Sequence, residues 1–272
     1  MAEWKSYAES EPLKWRSGGF TRSRRDIAEE VPVAISYDGS TYAVMMATPA
    51  DLEDFAIGFS LTEEVIDTPD DIESLEILEI GEGIEARMWL KPHMSQRQRA
   101  RRRSIVGPTG CGLCGAESIA QALKPVRLVE SRFTVRPGEL FKAAGLLQAH
   151  QSLNARTHAV HAAALYAGGQ LIVREDAGRH NALDKVIGGA IRQGNTVHKG
   201  IVILTSRVSV ELVQKVAWLG APIIAAISAP TALALRLANT AGITLIAVLR
   251  PDGFEVFTHP ERVVEEASAH VA

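Results

Sequence analysis

The chain has 272 residues, of which 46% are hydrophobic and 22% charged, with a net charge of −3 at neutral pH. That is enough apolar material for a substantial core and one or two domains, and the weak negative balance excludes a global pull toward nucleic acid or acidic membrane. No apolar run reaches the roughly 18–20 residues needed to span a bilayer, and no apolar h-region marks the polar start, so a cytoplasmic protein is expected.

Residues 1–25 read as a loosely ordered, flexible segment: polar, with Ser17-Gly18-Gly19 and the cations Arg22, Arg24 and Arg25. The core begins near Val31. Val31–Tyr37 and Tyr42–Ala47 are β-like and flank Asp38-Gly39, a strong hairpin signal. Thr48-Pro49 opens a helix expected from Ala50 to about Ile66, its first turns crowded with Asp51, Glu53 and Asp54 as the helix dipole favours. Leu52, Phe55, Ala56 and Phe59 give it an apolar face. A second hairpin is expected around Gly81-Glu82-Gly83. A basic stretch with Arg97, Arg99, Arg101, Arg102 and Arg103 then runs into Gly110-Cys111-Gly112-Leu113-Cys114-Gly115.

These are the only two cysteines in the chain. At C-x-x-C spacing in a reducing compartment they can bind a metal, form a redox disulfide or carry sulfur as a persulfide. For zinc, Cys111, Cys114, His158 and His161 would have to serve, but zinc-finger histidines usually have about three to five residues between them, and only Ala159 and Val160 lie between these. A zinc deaminase needs H-x-E ahead of P-C-x-x-C; here Ala163 stands where the glutamate belongs, and the cysteines precede the histidines. A thioredoxin-like motif belongs near a βαβ unit, which this loop lacks. For persulfide chemistry the neighbouring arginines and a following helix N-terminus, expected at Ala116–Leu123, would favour the reactive thiolate.

Glu139–Gln151 reads as a helix. After His161 the texture changes: strands Ala162–Tyr166 and Leu171–Arg174, a helix Asn181–Gln193, then strand Ile201–Thr205, helix Val210–Leu219, strand Ile223–Ile227, helix Ala232–Ala241 and strand Thr244–Leu249, with Phe254–Phe257 as a candidate edge strand. Uniformly apolar strands alternating with helices imply a parallel, three-layer α/β sheet. The domain reading is a flexible segment 1–25, an α+β region 26–136 ending in the cysteine loop, and an α/β domain 137–272. Ligands of such sheets bind at the carboxyl ends of the strands. There the loops Arg174–Asn181, Thr205–Val208, Ser228–Thr231 and Arg250–Gly253 offer Arg174, Arg179, Arg207 and Arg250, suited to a phosphate-bearing ligand; loops are also polar for solvent's sake alone.

Several blocks together resemble the FdhD family. They are Ala28-Glu29-Glu30-Val31-Pro32-Val33-Ala34, Val44-Met45-Met46-Ala47-Thr48-Pro49 running on to Glu63, the Thr109–Gly115 cysteine loop, and His161-Ala162-Ala163-Ala164. Arg174-Glu175-Asp176, Gly178 to Lys185, Thr205-Ser206-Arg207, Glu211-Leu212-Val213-Gln214-Lys215, Ser228-Ala229-Pro230-Thr231 and Thr258 to Arg262 complete them. The resemblance implies a sulfurtransferase accessory to formate dehydrogenase. It would take sulfur from a cysteine desulfurase as a persulfide on Cys111, assisted by Cys114, and pass it to a molybdenum (or tungsten) bis-guanine-dinucleotide cofactor. It further implies that Val248, Leu249, Arg250, Pro251, Asp252 and Gly253 bind that cofactor, that the C-terminal domain is cytidine-deaminase-like, that the protein is a homodimer, and that it binds neither nucleic acid, membrane nor a metal of its own. A non-enzymatic cofactor chaperone and a zinc-dependent deaminase-like hydrolase are the alternatives. In this reading Asp176 and Asp184 position neighbours or cap the Asn181 helix, while His161 and His180 are either proton shuttles or structural hydrogen-bond partners.

Overall fold

The computed structural model describes residues 4–102 and 125–265, the side chains of 98–102 aside. The described residues fall into two compact units that interleave along the chain: residues 4–102, 151–161 and 174–188 form the first, and 125–150, 162–173 and 189–265 the second. The expected single boundary near residue 136 is thus replaced by several passages of the chain between units.

The segment expected to be loosely ordered is instead four short strands: β1 (Tyr7–Ser10), β2 (Leu13–Arg16), β3 (Gly19–Arg22) and β4 (Arg25–Ala28). β1 pairs antiparallel with β4, and β2 pairs with β3 in a hairpin that sets Trp15 opposite Phe20. The physical signal was present in the alternation Leu13-Lys14-Trp15-Arg16, a period of two, obscured by the glycines and arginines around it.

The main sheet of the first unit comprises β5 (Val31–Tyr37), β6 (Ser40–Ala47), β7 (Ile72–Ile80) and β8 (Gly83–Leu90), in the order β6-β5-β8-β7. β5 runs parallel to β8 and the other two pairings are antiparallel. The turn between β5 and β6 has both Asp38 and Gly39 at positive φ (50° and 73°), the geometry that an Asp-Gly hairpin turn provides. Val31, Val33, Ile35 and Tyr37 are buried at alternate positions of β5, facing Ile84, Ala86 and Met88, which are buried in β8. Helix α1 (Leu52–Thr62) buries Phe55, Ala56, Phe59 and Leu61. It is shorter than expected at both ends. The Tyr37 hydroxyl bonds Ser60 Oγ at 2.7 Å, and Ser60 in turn donates to the Ala56 carbonyl, so the polar atoms beneath the helix are paired. The basic stretch enters helix α2 (Pro92–Arg102), where Arg97 pairs with Asp67 at 2.8 Å.

In the second unit, helix α3 (Pro137–Ala149) covers one face of a six-stranded sheet. Its strands are β9 (His161–Ala167), β10 (Gln170–Asp176), β11 (Gly200–Leu204), β12 (Ile223–Ala226), β13 (Thr244–Arg250) and β14 (Gly253–Val256), in the order β10-β9-β11-β12-β13-β14. The sheet is mixed rather than wholly parallel: β11, β12 and β13 run together, while β9 and β14 oppose their neighbours. Leu140, Ala143 and Leu147 of α3 pack with Ile201, Ile203, Ile223 and Ile246. The residues of opposite parity, Val202, Leu204, Ile224, Ala226, Leu245 and Ala247, are equally buried, so both faces are covered and the α/β expectation holds. Between β10 and β11 runs helix α5 (Arg179–Arg192), preceded in the chain by the short α4 (Ser152–Thr157). Helix α6 (Val210–Leu219) follows β11 and helix α7 (Ala232–Thr240) follows β12; the two pack on each other.

Candidate functional site

The first unit holds a buried ion pair with every polar atom answered. Lys185, on α5, and Asp176, at the end of β10, are both fully buried and lie 2.7 Å apart. The ammonium also donates to the carbonyls of Thr48 (2.9 Å) and Glu175 (3.4 Å), which fills its three donors. Asp176 Oδ2 accepts the Thr48 amide, and Oδ1 accepts the Gly178 amide at 2.7 Å and Asn181 Nδ2 at 3.0 Å. Asn181 bonds the Met46 carbonyl as well, and the Ala177 amide donates to Thr48 Oγ1. A charge is tolerated at such depth only when its remaining hydrogen-bonding positions are filled. The effect is to clamp the segment from Glu175 to Gly178, and with it the start of α5, onto the end of β6.

Around this clamp lie further side chains of the same blocks. Asp184 accepts from Thr62 Oγ1 at 2.8 Å. Glu175 accepts the amides of Leu153 and Asn154 at 2.8 Å each and so caps α4 across a gap of more than 20 positions. Two glycines let the helices touch: a methyl group on Gly58 would strike the Asp184 carbonyl oxygen, and one on Gly188 would strike the Asp54 carbonyl oxygen. Arg174 is only 19% exposed and is bound through Nε and Nη2 to Asp54 and through Nε to Asp51. Its guanidinium therefore fixes the β10 end to α1 and is occupied by carboxylates. Arg179, at the start of α5, has a buried Nε with no hydrogen-bond partner among the described residues, and His180 follows it in the first helical turn.

The carboxyl ends of β11, β12 and β13 form a second constellation, within the second unit. The three following loops are stitched to one another. Val208 and Pro230 form a parallel bridge, the Thr231 amide donates to the Val208 carbonyl at 3.0 Å, and the Val248 amide donates to the Ser228 carbonyl at 3.2 Å. Helices α6 and α7 both begin here. Thr231 caps α7 through the Ala234 amide, whereas Ser209, at the cap position of α6, has a buried hydroxyl with no partner among the described residues. Two helix N-termini side by side present amide N–H groups and positive dipole ends, a ready anion site.

The third loop is irregular. Three residue steps from Ala247 to Arg250 on β13 are matched by two steps from Glu255 to Gly253 on β14, so β13 carries a bulge. Val248, within it, has φ of 52°. A β-branched residue rarely adopts that conformation, and strain of this kind, costing of order 1–3 kcal/mol, clusters at functional sites. Arg250 is exposed and donates through Nη1 to the carbonyls of Ile227 and Leu249. Those bonds fix the guanidinium at the β12 end, and its Nε and Nη2 have no partner among the described residues. Arg207 is exposed in the neighbouring loop.

Of the residues singled out by sequence, Arg207 and the stretch Val248, Leu249, Arg250, Pro251, Asp252 and Gly253 thus meet at one set of strand ends, and Arg174 and Arg179 belong to the first unit. Cys111 and Cys114, the helix expected at 116–123 and Arg103 lie outside the described residues. Sequence reading missed Lys185 as the core of the clamp, although a lysine four residues after Asn181 on an otherwise apolar helix face was the available signal. It also missed the Val248 bulge, for which the sequence carries no signal.

Comparison with known proteins shows the family of the chain. A family model described as the FdhD/NarQ family matches residues 28–264. The chain is 50% identical to the sulfur carrier protein FdhD of Agrobacterium fabrum, over 92% of this chain and 93% of that one. It is likewise 50% identical to that of Brucella abortus (93% and 95% covered) and 46% identical to that of Cupriavidus necator (94% and 89%). A crystal structure from Desulfotalea psychrophila, described as a candidate formate dehydrogenase accessory protein, superposes with a TM-score of 0.75 at 26% identity, covering 96% of this chain and 100% of the other. The chain belongs to the FdhD/NarQ family.

Proposed function

We propose that this family member is a sulfur carrier accessory to formate dehydrogenase: a cytoplasmic, homodimeric sulfurtransferase that relays sulfur from a cysteine desulfurase to a molybdenum or tungsten bis-guanine-dinucleotide cofactor. The observation that carries the reading is Cys111-Gly112-Leu113-Cys114. It contains the chain's only thiols, ringed by glycine, in a chain half identical to curated sulfur carriers.

The Cys111 thiolate attacks the outer sulfur of the donor's cysteine persulfide. The donor's S–S bond breaks, its cysteine leaves as a thiolate, and the persulfide now stands on Cys111, with no net oxidation. Attack of the Cys114 thiolate on Cys111 Sγ then expels the outer sulfur as hydrosulfide for the metal. A Cys111–Cys114 disulfide remains, which a thiol reductant reopens. Glycine, having no side chain, is the residue type suited to a loop whose sulfur must meet both a donor and an acceptor.

The cofactor is the acceptor substrate. Its diphosphates suit the strand ends of the second unit, where the N-termini of α6 and α7 supply amides and Arg207 and Arg250 supply charge-assisted, two-pronged contacts. The strained Val248 holds the loop in a set conformation, so little ordering has to accompany binding. Arg174, held by Asp54 and Asp51, positions the segment that carries Arg179 within the first unit.

Mass spectrometry after incubation with a cysteine desulfurase and cysteine tests the reading. One added sulfur is expected on the wild-type chain and none on Cys111→Ala. If Cys111→Ala still loads sulfur and still activates a co-expressed formate dehydrogenase, the assignment is wrong. Cofactor binding with no sulfur loading on the wild-type chain would instead establish a chaperone.

A further inference from the structure

The β2–β3 hairpin has no role in the scheme above and lies ahead of the residues matched by the family model. All eight of its strand residues are exposed. Leu13, Trp15 and Phe20 are 62%, 65% and 71% exposed, and the register places Leu13, Trp15, Phe20 and Arg22 on one face of the ribbon. Three large apolar side chains in contiguous array approach the several hundred Å² that mark interaction surfaces on monomers. A two-stranded ribbon is marginal in water, so a surface that covered this one would stabilise it.

Charge indicates the cover. Residues 13–25 contain five cations (Lys14, Arg16, Arg22, Arg24, Arg25) and no acid, in a chain of net charge −3. At the root of the hairpin lies a cleft of about 630 Å³ whose lining includes Lys14, Arg24, Arg25, Arg156 and His158, with Glu9 and Asp26 as its acids. Arg156 is paired with Asp26 at 2.9 Å and stacked over Tyr7, and Arg24 makes a long 3.8 Å contact with Glu11. The same chain carries the complement. Residues 63–82 contain nine acids and no cation. Their centre is β7, an edge strand of the four-stranded sheet, on which Glu73, Glu76 and Glu79 are exposed and Ile80 is 52% exposed. Glutamates along a sheet edge ordinarily stop strands from pairing with their like. To a cationic ribbon they are an attraction, and Ile80 is an apolar seat for its aromatic face.

We propose that the β2–β3 hairpin of one copy docks on the acidic β7 edge of a second copy, reciprocally, so that a two-fold dimer buries both surfaces at once. The inference rests on the homodimer in the functional reading above and supplies its interface. The occupant is thus a second copy of this chain, with Trp15 and Phe20 as anchors and the hairpin cations paired with the β7 carboxylates.

The full chain at low salt should sediment as a dimer whose dissociation constant rises with ionic strength, as charge-paired surfaces require. Trp15→Ser with Phe20→Ser, and separately Arg22→Glu with Arg24→Glu, should each weaken it at least roughly tenfold with an unchanged circular dichroism spectrum, because every altered side chain is exposed. Adding Glu73→Lys, Glu76→Lys and Glu79→Lys to the Arg22→Glu, Arg24→Glu chain should restore the dimer. Dimers indifferent to both hairpin variants would overturn this interface while leaving the homodimer standing. Loss of the dimer without rescue by the charge swap would overturn β7 as the docking surface. A wild-type chain that is monomeric throughout would sink both the interface and the homodimer.

Discussion

Two regions of this molecule use charge in opposite ways. In the first unit, Asp176 and Lys185 are wholly buried and every hydrogen-bonding position they possess is filled by Thr48, Glu175, Gly178 or Asn181. At the strand ends of the second unit, Arg207 and Arg250 are exposed above a sheet of apolar residues, beside a strained Val248 and an unanswered Ser209 hydroxyl. The first arrangement has nothing left to offer a ligand and fixes backbone. The second has donors in excess and little to fix. A charge whose partners all lie within the fold is structural, and charges left over where helices begin and strands end are available for chemistry.

Substitutions separate the two. The largest effect on stability is expected from Lys185→Met: it strands the buried Asp176 carboxylate and should lower the denaturation free energy by about 3–5 kcal/mol, read from urea unfolding. Gly188→Ala is next. Its methyl group would meet the Asp54 carbonyl of α1, and parting the helices should take about 1–3 kcal/mol. At the strand ends, Arg207→Ala and Arg250→Ala should leave urea unfolding within about 0.5 kcal/mol of wild type yet weaken guanosine diphosphate binding about tenfold each by calorimetry. If they unfold the protein instead, or leave binding untouched, the contrast between the regions collapses. Val248→Gly should stabilise by about 1 kcal/mol through relief of the positive φ, and Val248→Ala should not.

The smallest effect concerns pH. The Glu85 carboxyl is held below its ordinary range, chiefly by the Arg87 guanidinium 2.6 Å away and then by Ser36. Folding therefore favours its ionised form. The stability it contributes is complete above the unfolded carboxylate pKa of about 4.3 and is lost as pH falls through the lower folded value. Glu85→Gln should flatten that acid limb slightly, since Arg87 is about one-third exposed and solvent screens the pair. Unfolding midpoints near pH 7 and pH 3 check it.

The regular parts of this architecture were legible where a period was uninterrupted. The alternation in Val31–Tyr37, the Asp38-Gly39 turn and the strand–helix succession from Ile201 to Leu249 all became the elements they implied. Strand direction was not legible: an apolar run such as Ala162–Tyr166 reads the same whether its neighbour is parallel or antiparallel, and only the short Gly168-Gly169 connection hinted at the reversal. The Asp176–Lys185 clamp was hidden because its third member, Thr48, is 128 positions away from Asp176 in the chain. The strand-end loops were legible as a set because topology alone dictates where they gather, and Arg207 and Arg250 do lie there. Arg174 could not be told from them by sequence, since what distinguishes it is the carboxylates of Asp51, just ahead of α1, and Asp54, within it.

The interleaving of the two units has a consequence for how the protein is made. A ribosome that has released residues 1–136 has delivered, among the described residues, strands β1 to β8 and helices α1 and α2 but neither Asp176, Lys185 nor Gly188, which belong to the same unit as they do. The first unit to begin is thus completed only after the opening segments of the second have emerged, and contacts between residues so distant in sequence form slowly. The gene accordingly has no midpoint at which it can be cut to yield an independent half. A fragment ending at residue 136 should be recovered as an aggregation-prone chain with an exposed α1, whereas one extended to residue 188 should contain every member of the clamp.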